Sequence, residues 1–117
     1  MRTNKKHQKR WKACSQARHP VSVADHKIEL AEARIEKHQK LLEETRDAIA
    51  LEAGKAAEPG FDHAAFAKLV AAPAKHARAV ARFEERLEVV KAERTKAIKA
   101  FIRRVEQLRD AYAEEVA

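Results

Sequence analysis

The 117-residue sequence predicts an all-α protein: an antiparallel two-helix coiled-coil hairpin, with a proline-kinked long second helix and a basic N-terminal arm. Three observations predict it. The composition favours long helices, with two glycines, three prolines and a body rich in Ala, Glu, Lys and Arg. Apolar residues recur at heptad spacing on both sides of a single polar break. When the chain is folded back at that break, the two stripes, read separately, meet one another.

The arm comprises residues 1–20, MRTNKKHQKRWKACSQARHP, and holds seven bases (Arg2, Lys5, Lys6, Lys9, Arg10, Lys12 and Arg18) and no acid. The whole chain has 25 Lys+Arg and 18 Asp+Glu, so the remainder balances and the formal net charge of +7 resides in the arm. His19-Pro20 is expected to end it, because a residue before proline is pushed out of the α region. The arm is read as disordered or as a short helix, and residues 21–117 as the hairpin.

The first helix is expected over residues 23–53, with Ser22 as N-cap and Asp25 as its acidic partner. Ile28, Ile35, Leu42 and Ile49 recur every seven residues, with Ala24, Ala31, His38 and Thr45 between them. Residues 54–61 form the linker, in which GKAAEPG supplies the break. Asp62 can cap the second helix, expected over residues 62–115. Phe61 and Phe66 fall at the spacing of a hydrophobic staple around that cap.

Along the second helix the apolar set is Leu69, Val80, Phe83, Leu87 and Val90, then, beyond Arg94, Ile98, Phe101, Val105, Leu108 and Tyr112. Arg94 marks a four-residue step, read as a stutter, and Pro73 predicts a kink between Leu69 and Pro73. Folding at the linker sets Ile49 by Phe66, Leu42 by Pro73, Ile35 by Val80, Ala31 by Phe83, Ile28 by Leu87 and Ala24 by Val90. The first helix is then used up, and the second is expected to project beyond it from Arg94 onward. Its projecting stripe, Ile98, Phe101, Ile102, Val105, Leu108 and Tyr112, needs a cover. Either the arm folds back on it with Trp11, Val21 and Val23, or a second chain covers it; a second chain is the expectation, because the arm offers one large apolar side chain against six.

These features also bound the chemistry. The lone cysteine, Cys14, excludes an internal disulfide and fits a reducing compartment. No apolar run follows the basic start, and nowhere do eighteen apolar residues run together, so neither a secretory signal nor a membrane span is expected. A cytoplasmic location, with association to a nucleoid or particle, is the expectation. Glycine-rich phosphate loops, His-Glu-x-x-His and Cys-x-x-Cys are missing, and a two-helix hairpin offers little pocket in which to shift a pKa. No catalytic residue, cofactor, metal or small-molecule substrate is expected.

The functional expectation is a non-enzymatic nucleic-acid-binding accessory protein of weak sequence specificity. Arg2, Lys5, Lys6, Lys9, Arg10, Lys12 and Arg18 would neutralise phosphates, and Trp11 would stack on a base. Lys75, Arg78, Arg82 and Arg86 lie on one side of the second helix and would extend the contact. The plain alternatives are a solubilising tail and a solvated helix face. His38 and His76 are expected opposite one another, two imidazoles without a third ligand. The competing expectation is a structural, adaptor or inhibitor protein of a larger assembly (virion, secretion or ribosome-associated). It would act as a homodimer or bind a protein partner through Ile98, Phe101, Ile102, Val105, Leu108 and Tyr112.

Overall fold

The computed structural model describes residues 5–116. Among them there are two helices and no strand: α1, Lys5–Ala53, and α2, His63–Val116. The chain is the helical hairpin that the heptads predict. By contact it divides into two compact units, Leu30–Leu87 around the turn, and a terminal unit pairing the chain up to Glu29 with the chain from Glu88.

In the turn unit, both stripes are where the sequence puts them. Ala31 is buried, and Ile35, His38, Leu42, Thr45 and Ile49 of α1 are partly buried. So are Phe66, Leu69, Pro73, His76, Val80, Phe83 and Leu87 of α2. The connection is a chain of tight turns: Lys55 N–H donates to Glu52 O at 2.9 Å and Glu58 N–H to Lys55 O at 3.0 Å. Gly60 closes it with φ +82°, a left-handed conformation that a Cβ would strain. The Asp62 carboxylate then accepts from Ala65 N–H at 3.0 Å, satisfying one of the free donors of the first turn of α2. Phe61 and Phe66 meet across this cap at 5.5 Å between ring centroids, completing the staple.

The terminal unit differs from expectation in two ways. First, α1 starts at Lys5 rather than near residue 23, and passes through Pro20 without a break; Ser22 is an exposed residue inside it, not a cap. Proline in a helix interior costs about 3 kcal/mol, from a lost backbone hydrogen bond and a clash with the preceding turn. The burial of His7, Cys14 and Ala24 on the same face opposes that cost.

Second, α2 does not project beyond its partner. His7 lies against Ala111 and Arg10 against Gln107, and Asp25 is ion-paired with Arg94, so residues 5–25 run antiparallel along the last part of α2. The basic segment itself covers this part of α2. The covered positions of this part of α2 are Val90, Arg94, Ala97, Ile98, Phe101, Leu108 and Ala111. Ile102, Val105 and Tyr112 fall beside the seam and are 48%, 41% and 40% exposed. Pro73 lies inside α2, which crosses it as one helix.

Candidate nucleic-acid interface

The acid-free stretch from Lys5 to Arg18 forms successive turns of a helix docked along one side. At 100° per residue its cations divide into those that dock and those that remain free. Arg10 is partly buried, and its Nη1 donates to the Gln107 carbonyl at 2.9 Å. Lys5, Lys9, Lys12 and Arg18 are exposed. Arg2 lies outside the described residues, and so does the side chain of Lys6.

Trp11 follows Arg10, about 100° further round the helix. The residue is 54% exposed, and its Nε1–H donates to the Tyr112 hydroxyl at 3.1 Å, which holds the indole at the surface. Tyr112 also lies on the His7 ring, with centroids 4.4 Å apart. His7 is 3% exposed and each of its ring nitrogens faces an acceptor: Nε2 is 3.4 Å from Ala111 O, and Nδ1 is 3.2 Å from the Glu115 carboxylate. The helix that carries the cations is thereby tied at its start to α2 through a buried ring with an acceptor beside each nitrogen.

One groove opens between the two helices of this unit. Lys9, Arg10 and Ala13 of α1 and Arg104 and Gln107 of α2 line a cavity of about 440 Å³. Among the described residues no carboxylate lines it. Arg104 Nη1 donates to the Gln107 side-chain carbonyl at 3.1 Å. Further along α2, Lys96, Lys99 and Arg103 crowd around Ala100. A smaller groove of about 230 Å³, lined by Arg18, Val21, Ser22, Asp25, Ile98 and Phe101, carries both charges.

In the turn unit, Lys75, Arg78, Arg82 and Arg86 are all exposed on α2. His38 and His76 meet as their register requires, with ring centroids 5.9 Å apart; His38 also stacks on Phe83 at 5.6 Å. Its Nδ1 is buried without a hydrogen-bond partner. Among the described residues no group of three or more His, Cys, Asp or Glu could hold a metal ion. Cys14 is buried and free. No helix there is long and apolar enough to cross a membrane.

The stripe expected as a protein interface is split. Leu108 is buried, Ile98 and Phe101 are partly covered, and Ile102, Val105 and Tyr112 remain exposed. Sequence reading missed His7, Gln107 and Ala111. The signal was present, since His7, Cys14 and Val21 continue the seven-residue series of Ile28, Ile35, Leu42 and Ile49. A histidine and a cysteine stand where apolar residues were sought. Comparison with known proteins finds no match among family models, curated proteins or solved structures.

Proposed function

We propose that the chain is a non-enzymatic nucleic-acid-binding accessory protein that contacts the phosphate backbone through α1 from Lys5 to Arg18, with little sequence specificity. The observation that carries this reading is the form of the acid-free segment, a docked helix with Lys5, Lys9, Lys12 and Arg18 free at its surface. Cations held on a rigid helix meet a polyanion with less ordering cost than a flexible tail. Each neutralised phosphate releases condensed counterions, so affinity should fall steeply with salt. Trp11, presented by its bond to Tyr112, adds stacking on an unpaired base. Lys75, Arg78, Arg82 and Arg86 are proposed as further phosphate contacts.

Deleting the segment is a poor test, because it would also strip the cover from α2. Charge removal is cleaner. Replacing Lys5, Lys12 and Arg18 together by Gln should weaken binding to random-sequence DNA or RNA and reduce the slope of log affinity against log salt by about 2 to 3. Absence of binding at low salt, or an unchanged slope in a folded variant, overturns the proposal.

A second reading rests on the exposed side chains Ile102 and Val105. Here the chain is an adaptor or structural part of a larger assembly, and these side chains with Tyr112 seat a second copy or a protein partner. Ile102→Glu with Val105→Glu leaves the seam intact, and under this reading lowers the sedimentation coefficient of the purified chain. An unchanged coefficient, together with retained capture of any partner found, counts against it.

A further inference from the structure

We infer that the groove lined by Lys9, Arg10, Ala13, Arg104 and Gln107 is a discrete seat for a phosphomonoester dianion, such as the terminal phosphate of a nucleic-acid strand. The inference rests on the nucleic-acid reading for its source of phosphate, but not for its chemistry.

The polar inventory of the groove carries it. Both carbonyl oxygens of Gln107 are engaged by guanidinium groups, the backbone one by Arg10 at 2.9 Å and the side-chain one by Arg104 at 3.1 Å. What remains for a ligand is the ammonium of Lys9, the other N–H groups of both arginines and the amide N–H₂ of Gln107. All are donors. Three cationic residues, Lys9 and Arg10 from α1 and Arg104 from α2, line the groove, with no carboxylate among the described lining residues.

The arginines are also held in place. Arg10 is partly buried and tied to Gln107, while Arg104 is tied to the side chain of the same residue, so one glutamine orients both forks. Guanidinium forks recognise phosphate in pairs of parallel hydrogen bonds, and a fork already oriented loses less freedom on binding. Charge selects the ligand class. A phosphomonoester carries nearly two negative charges at neutral pH and three terminal oxygens, whereas an internal phosphodiester carries one charge and two such oxygens. A donor-only site with three cations favours the former. At about 440 Å³ the groove is larger than a phosphate group alone, leaving room for the attached sugar.

The test compares the same short single-stranded oligonucleotide with and without a 5′-phosphate, and separately inorganic phosphate, against the full chain. Lys9→Gln with Arg104→Gln removes two of the three cations at exposed positions, and Lys40→Gln serves as a control on the turn unit. The expected result is a roughly tenfold preference for the phosphorylated strand. The preference should vanish in the double variant and survive in the control. Equal binding of both strands by the parent chain, or a preference that persists in the double variant, overturns the seat while leaving backbone binding in place. If neither strand binds, the nucleic-acid reading fails and inorganic phosphate decides the seat. A phosphate-dependent rise in melting temperature that the double variant lacks upholds it, and no rise overturns it.

Discussion

Arg10 and Trp11 are neighbours in sequence, both reach α2, and differ in exposure. The guanidinium is partly buried against the Gln107 carbonyl, while Trp11 stays largely exposed at the edge of the pair, fixed by Tyr112. Residue type alone suggests the reverse, a buried tryptophan and a solvated arginine. Helical geometry decides, since Arg10 lies on the docking face and Trp11 is rotated off it. The same geometry makes Val90 the only large side chain among the described residues that is wholly buried, while Val89 beside it is 51% exposed. Val90→Ala should therefore cost about 2 kcal/mol, and Val89→Ala less than about 0.5 kcal/mol, in urea denaturation. Equal shifts of the two midpoints would contradict this seam.

At the scale of the element, the turn unit was almost wholly legible. The stripes Ile35, Leu42, Ile49 and Val80, Phe83, Leu87, the Gly60 turn, the Asp62 cap and the Phe61–Phe66 staple all follow from spacing and turn chemistry. The start of α1 was not, for two physical reasons. Its seam positions carry His7, Arg10, Cys14 and Ala17, side chains that give no apolar signal but pack or hydrogen-bond against the small and polar positions Gln107 and Ala111 or lie in the covered face. Pro20 reads locally as a helix end, and tertiary contacts on both sides of it override that preference. Misplacing the start also led to the expected overhang, and from it the uncovered stripe. The cost of Pro20 should be recoverable: Pro20→Ala should raise stability by about 1 to 3 kcal/mol with no loss of helix by circular dichroism. A loss of stability would show that the segment before Pro20 depends on the proline.

At the scale of the whole molecule, the net charge of +7 and the helical hairpin belong to one account. The basic segment lies along α2 as half of a packed unit, and its free cations stand on the outside of that unit. Neutralising the cations should then change binding without changing the fold. The concentration of bases in the first twenty residues was legible from the sequence; the groove that joins Lys9 and Arg10 to Arg104 and Gln107 was not, because it needs the docking of α1. The most direct test is the salt dependence of nucleic-acid affinity for the parent chain and for the Lys5, Lys12 and Arg18→Gln variant, with helicity measured alongside. The expected outcome is equal helicity with a slope shallower by about 2 to 3 in the variant. Equal slopes at equal helicity would contradict the role assigned to the basic helix.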